Sequence, residues 1–313
     1  MQLSLKAAMM SSSIYIPIAL MAVWVSYRLF RKCHCDLRDK VVLITGASSG
    51  LGEACAHAFY KAGSRVILCA RREAELKRVK QDLQNLKLAI ETKEPSILTL
   101  DLSDLDSIPQ RADHALKIHG QIDILVNNGG ISYRGEAMET ELGIHMSVMT
   151  VNYFGQIALT QALLPSMVSR DCGHIVAISS VQGKIAIPYR SAYAASKHAA
   201  QAYFDSLRAE VADKNIKVSV ISPGYIKTNL SLNALQGDGT RYGVMDKTTE
   251  TGMSPEYVAS KVLKAVQEQK NELILAPFTV TVAVFLRTFC PSLYFSLMKK
   301  RAAHQKQDQC KQK

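Results

Sequence analysis

The 313-residue chain predicts an α/β fold, a doubly wound parallel sheet of seven strands. Three observations predict it. Short apolar runs recur along the chain, stretches with helical periodicity separate them, and a glycine-rich turn follows the first run. The runs are "VVLIT" (41–45), "RVILCA" (65–70), "ILTLD" (97–101), "IDILVNN" (122–128), "HIVAISS" (174–180), "KVSVIS" (217–222) and "ELILA" (272–276). Most are rich in Val and Ile and apolar without alternation, as strands covered on both faces are. Residues 74–90 and 254–270 have helical patterns, the second with Ser254 as N-cap and Pro255 at the first helical position. Seven strands alternating with six helical segments are the signature of the doubly wound arrangement.

The turn after the first strand, in "VVLITGASSGLGEACAHAFYKAG", places Gly46, Gly50 and Gly52 before a helix, with Ser48, Ser49 and Leu51 between them. Glycine lets the backbone turn tightly and approach a pyrophosphate, and the helix N-terminus supplies N–H groups and a favourable dipole. The spacing G-x-x-x-G-x-G departs from the common dinucleotide pattern G-x-G-x-x-G. The second strand ends "CARRE", with no acid where an NAD enzyme holds its ribose 2′-hydroxyl. Arg71 and Arg72 stand there instead, suited to a 2′-phosphate, so NADP(H) is expected ahead of NAD(H). The plainer reading is two arginines facing solvent at a helix start.

In "SAYAASKHAAQAYF" (191–204), Tyr193 and Lys197 are four apart and share a helix face. At about 4 Å and an effective dielectric near 20, an ammonium attracts a phenolate by about 4 kcal/mol. That is on the order of three pKa units, before desolvation offsets part of it. A phenol so tuned exchanges protons near neutral pH, as hydride transfer to a ketone requires. Ser180 ends the fifth strand, and its hydroxyl can donate to the same carbonyl oxygen.

The glycine spacing, "NNGG" at 127–130, "ISS" at 178–180 and Y-x-x-x-K at 193–197 together resemble the short-chain dehydrogenase/reductase family, over roughly residues 38–277. Within it, "NYFGQIALTQALLPSM" and "ISPGYIKTNLS" resemble a membrane-anchored branch. The resemblance implies a Rossmann domain with Ser180, Tyr193, Lys197 and Asn152 as catalytic residues. It gives Asn152 a water in a proton relay, Lys197 the nicotinamide ribose hydroxyls, and Ser180 a contact with substrate. It implies cofactor contacts at Gly46, Ser48, Ser49, Gly50, Leu51, Gly52, Arg71, Asp101, Leu102, Asn128, Tyr193 and Lys197. Pro223 and Gly224 turn over the nicotinamide and Thr228 bonds its carboxamide, giving B-face hydride delivery. Asn229, in the sequon Asn229-Leu230-Ser231, is then expected to be enclosed. The family usually has Ala where Gly129 stands, a mild loss of one methyl. A homodimer through helices beginning near residues 141 and 190 is also implied, and residues 231–253 are expected to form a mobile lid.

Of the net charge of +11, +8 sits in the flanks. Residues 28–40 carry five Lys/Arg against two Asp, and 299–313 six against one Asp. That distribution suits a membrane surface and excludes a nucleic-acid partner, which needs a basic face on the folded domain. Seven scattered cysteines imply no disulfide framework, and Cys33-x-Cys35 lacks a second ligand pair, so no metal is expected. Residues 7–27 are uncharged and long enough to cross a hydrocarbon core of about 30 Å. No small-x-small cleavage site follows, so an uncleaved single-pass signal anchor in the endoplasmic reticulum membrane is expected. The basic flank puts the domain on the cytosolic face, with the lumenal orientation left open.

The domains are therefore 1–37, anchor and linker; 38–277, the Rossmann domain; and 278–313, an apolar extension with a basic tail. Arg287 and Pro291 interrupt the extension, so it is expected on the bilayer, over the substrate mouth or on the core, and its tail disordered. The implied activity is hydride transfer between NADP(H) and a lipophilic ketone or alcohol, such as a steroid, retinoid or acyl-chain ketone. The alternatives are NAD-dependent alcohol oxidation and a dinucleotide-sensing scaffold, which would not need Ser180, Tyr193, Lys197 and Asn152 together.

Overall fold

A computed structural model describes residues 35–88 and 92–312. The anchor expected at residues 7–27, and most of the 1–37 segment, lie outside the described residues. Among the described residues no helix is long and apolar enough to cross a membrane.

All seven expected strands are present: β1 Val41–Thr45, β2 Arg65–Ala70, β3 Ser96–Thr99, β4 Ile124–Asn127, β5 Gly173–Ile178, β6 Ile216–Pro223 and β7 Glu272–Leu275. They form one parallel sheet in the order β3-β2-β1-β4-β5-β6-β7. β1, β4 and β5 are buried along their whole length, which is why their sequences show no alternation. The strand order reverses between β1 and β4. The loops leaving their carboxyl ends diverge there and open a crevice.

Helices cover both faces. On one side α1 (Gly50–Lys61) packs against α7 (Pro255–Gln267). On the other lie α3 (Ile108–His119), α5 (Gly155–Ser169) and α6 (Ser191–Glu210), which bury Ala112, Leu159 and Phe204 against Leu43, Leu125 and Ile175 of the sheet. Further helices before the extension are α2 (Glu73–Gln84), α4 (Leu142–Met149) and a single turn at Lys247–Glu250. Ser254 caps α7 as expected, its Oγ accepting the Tyr257 N–H at 3.2 Å. α2 stops at Gln84, short of the expected residue 90, with Asn85 as its C-cap.

The C-terminal extension forms α8 (Phe278–Phe289) and α9 (Pro291–Gln312). The basic tail, expected to be disordered, is helical. Its Lys, Arg, Gln and Ala residues are strong helix formers, and Pro291 starts the helix with a missing N–H that costs nothing there. α9 is held down by Tyr294, which is buried and donates to the Ala186 carbonyl at 2.5 Å. The Tyr189 hydroxyl donates to the Ala302 carbonyl, and Arg301 Nη2 to Tyr225 Oη, both at 3.3 Å. The extension therefore packs at the crevice mouth through loops 185–190 and 225.

Candidate active site

The glycine turn owes its shape to three positions. Gly46 and Gly50 have positive φ, +66° and +58°, where a side chain would be strained. Gly52 has no room for a methyl: a Cβ there would overlap the Gly46 carbonyl oxygen and lie 2.6 Å from Asn128 Nδ2. Asn128 is anchored in turn, its Nδ2 donating to the Thr45 carbonyl at 2.8 Å and its N–H to Thr45 Oγ1 at 2.9 Å. Thr45 also receives the Gly129 N–H at 2.9 Å, a tie between β1 and the β4 loop that no sequence motif announced. Gly50 faces Thr228, whose Cγ2 would lie 3.1 Å from an added Cβ.

Gly46, Ser48, Ser49, Gly50, Leu51, Gly52, Arg71, Asp101, Leu102, Asn128, Ser180, Tyr193, Lys197, Pro223, Gly224 and Thr228 all line one cleft of about 1760 Å³. It is large enough for a dinucleotide and a second molecule. Asn152 alone of the expected site residues does not line it. Asn152 is fully buried, in a π-helical segment, Thr150–Phe154, between α4 and α5. Such a wide turn re-aims a side chain within a continuous helix. Here Asn152 Oδ1 accepts the Ile131 N–H at 2.8 Å, while Nδ2 donates to the Ile131 carbonyl and to Ser196 Oγ. It ties the β4 loop to α6. Lys197 Nζ and Asn152 Oδ1 both approach Gly130, at 3.8 and 2.9 Å from a Cβ placed there.

At the cleft floor, Tyr193 of α6 lies beside Ser180, just past the end of β5, near enough for the serine hydroxyl to lower its pKa. The expected coupling of Tyr193 to Lys197 is corrected. Lys197 Nζ donates to the Ile178 carbonyl at 2.8 Å and stands 5.9 Å from the Tyr193 ring centre. Burial raises the Tyr193 pKa, against the lowering effects of the Ser180 hydroxyl and the Arg134 charge. Lys197 is itself buried, and burial lowers its pKa to about 8. A shared helix face brings the two residues together, but the β5 carbonyl captures the amine.

Leu102 fills the space beside Gly129, its Cδ1 2.7 Å from where a Cβ would stand. Two other expectations change. Asn229, expected to be enclosed, is exposed at the cleft rim. Of the two arginines after β2, Arg72 stands nearer the turn, its Nη2 donating to Ser48 Oγ and Ser49 Oγ, each at 3.1 Å. Arg71 Nη1 instead lies 3.9 Å from Asp101 Oδ2.

Residues 40–238 match the short chain dehydrogenase family. The chain belongs to the short-chain dehydrogenase/reductase family. It is an NAD(P)-dependent oxidoreductase acting on CH–OH groups, with the Rossmann architecture described above. It is 55% identical over 294 residues to an Anopheles gambiae protein named dehydrogenase/reductase SDR family protein 7-like, covering 93% of both chains. It is 52% identical over 288 residues to the Xenopus laevis dehydrogenase/reductase SDR family member 7B, covering 91% of this chain and 89% of that one. A short-chain dehydrogenase/reductase from Burkholderia phymatum, solved in complex with NAD, has the same fold, with a TM-score of 0.73 and 23% identity over 83% of this chain and 96% of that one.

The cleft fits a dinucleotide. Its turn excludes side chains at Gly46, Gly50 and Gly52, and the N-terminus of α1 opens onto it.

Proposed function

We propose that this dehydrogenase/reductase is a membrane-associated carbonyl reductase that uses NADP(H) in preference to NAD(H) and acts on a lipophilic ketone. The carrying observation is the buried Tyr193 phenol beside Ser180 at the cleft floor. Burial raises the Tyr193 pKa, so the phenol holds a proton at neutral pH that it can give to a carbonyl oxygen. A bound nicotinamide dinucleotide supplies the hydride. Ser180 donates to the carbonyl oxygen and fixes its position, and Tyr193 gives its proton to that oxygen as negative charge develops. Lys197 would hold the nicotinamide ribose hydroxyls, and Asn152 fixes the β4 loop against α6 beside it. Pro223, Gly224 and Thr228 would hold the nicotinamide end, and Asp101, Leu102 and Asn128 the adenosine end.

Arg72, with Ser48 and Ser49, supports a 2′-phosphate, and with it NADP(H). The Arg71–Asp101 ion pair favours a second reading, NAD-dependent oxidation of alcohols, because it sets an acid at the adenosine end.

Membrane association is supported by the uncharged run at 7–27 and by α8, which exposes Phe278, Phe285 and Phe289 next to the basic residues of α9. A single-pass anchor in the endoplasmic reticulum, with the domain on the cytosolic face, is the placement proposed. A membrane position favours a steroid, retinoid or acyl-chain ketone as substrate. Leu142 and Met146 are exposed on α4, and Phe154 follows them, which supports a homodimer.

The test is NADPH oxidation with a panel of lipophilic ketones by the parent chain and Tyr193→Phe. The variant is expected to bind dinucleotide normally and to lose turnover. Full activity in Tyr193→Phe would falsify the assignment.

A further inference from the structure

The C-terminal extension carries an apolar surface that the fold leaves uncovered. α8, "FTVTVAVFLRTF", is rich in Val and Phe, yet not one of its residues is buried. Phe278, Val282, Phe285 and Phe289 stand at i, i+4, i+7 and i+11, so they share one helix face. They are 80%, 37%, 58% and 75% exposed. Val280 lies about 200° round the helix from Phe278 and lines the cleft. One side of α8 thus borders the cleft, and the opposite side carries the stripe. On α9, Leu293 and Leu297 are exposed one turn apart, with Lys300 exposed on the same face. The Arg287 guanidinium lies 5.0 Å from the centre of the Phe295 ring and ties the two helices together. An exposed apolar surface of this kind marks an interaction site.

Length and charge say what covers it. At about 1.5 Å per residue the stripe runs about 16 Å, near half of a hydrocarbon core. A helix of that reach lies in a membrane surface and does not cross it. The sequence from 273 to 307 holds no Asp or Glu, while Arg287, Lys299, Lys300 and Lys306 are exposed within it. Anionic lipid headgroups answer such a charge. A second copy of the chain answers it poorly, because a two-fold contact here sets these cations against their own duplicates.

We propose that α8 and α9 form a membrane contact separate from residues 7–27, in which Phe278, Val282, Phe285 and Phe289 sink into an anionic leaflet and the lysines of α9 meet its headgroups. The proposal deepens the membrane-associated reading and rests on it for the bilayer. Val280 and Arg301 line the cleft, and Tyr294 fixes α9 to the 185–190 loop. The contact therefore sets the cleft mouth at the leaflet, where a lipophilic ligand is dissolved.

Quenching by brominated lipid tests this. In the full chain the sole tryptophan is removed by Trp24→Phe, and Phe285→Trp or Leu105→Trp then supplies a single indole. Leu105 is 38% exposed and follows β3, the sheet edge opposite β7, about 29 Å away across the strands. Each chain is placed in nanodiscs of phosphatidylcholine brominated on its acyl chains, with or without phosphatidylserine. With phosphatidylserine, the Phe285→Trp chain should lose about half its fluorescence or more, and the Leu105→Trp chain little. Adding Phe278→Ser and Phe289→Ser should remove most of the quenching at 285 and leave the unfolding midpoint unchanged, since α8 buries nothing. Lys299→Gln with Lys300→Gln should remove the part that depends on phosphatidylserine. Absence of quenching at 285, or equal quenching at 285 and 105, would overturn the proposal. So would quenching that survives loss of the stripe or is indifferent to phosphatidylserine. An unquenched chain found as two copies per disc, falling to one when the stripe is removed, overturns it in favour of a second copy as the occupant. A chain that enters the discs but is unquenched refutes this contact alone. A chain that never enters them refutes the membrane-associated reading as well.

Discussion

Replacing Lys197 by Met removes a buried amine whose charge the fold penalises. Burial lowers its pKa from 10.5 to about 8. Between those values the unfolded chain binds a proton that the folded chain does not. Folded stability from this group therefore rises as pH rises through that window, and the penalty is fully present below about pH 8. A shift of this size corresponds to about 3 kcal/mol against the folded protein at neutral pH. The variant relieves that penalty but leaves the Ile178 carbonyl, which the amine now reaches at 2.8 Å, without its donor. That loss is about 1–3 kcal/mol, so Lys197→Met should be close to neutral or stabilising near pH 7. A truncated buried side chain ordinarily costs more. The sharper quantity is the difference between the two chains at two pH values, in which other titrating groups cancel. From about pH 7 to about pH 9.5 the parent should gain about 2 kcal/mol that the variant does not. Urea unfolding followed by fluorescence measures it. A gap between the two chains that stays constant over that range would refute the reasoning, because the amine would then not be destabilised by burial.

Two further predictions concern the cofactor end. Gly52→Ala must push against the Gly46 carbonyl and Asn128, both fixed, so it should lose dinucleotide affinity more than about tenfold and about 1–3 kcal/mol of stability. Equilibrium binding and unfolding curves check both effects. Arg72→Ala should weaken NADP(H) about tenfold while sparing NAD(H), since only the former offers a 2′-phosphate to the guanidinium that now meets Ser48 and Ser49. Equal losses for the two dinucleotides would remove Arg72 from that role.

Much of the sheet is legible in the chain. Apolar runs without alternation mark the central strands, which end up covered on both faces; the edge strands β3 and β7 are only partly buried, and all seven appear near the expected positions. The glycine turn is legible because positive φ and missing Cβ atoms restrict residue choice within a few positions. The pairing of Tyr193 with Ser180 follows from one helix and one strand end. These are local constraints, set by backbone sterics and side-chain period.

What the tertiary structure alone decides depends on distance in the chain. Lys197 turns to a β5 carbonyl 19 residues back instead of to the tyrosine one turn away. Leu102 occupies the space a methyl at residue 129 would take. Arg134 meets its carboxylate across 112 residues, and Arg190 meets the same one across 56. The tail becomes a helix at the cleft mouth because Tyr294 finds a buried place there. Helical and strand periods specify which face a side chain takes. They do not specify which acceptor, cavity or counter-charge waits on that face, because burial and Coulomb terms sum over neighbours that only folding brings near.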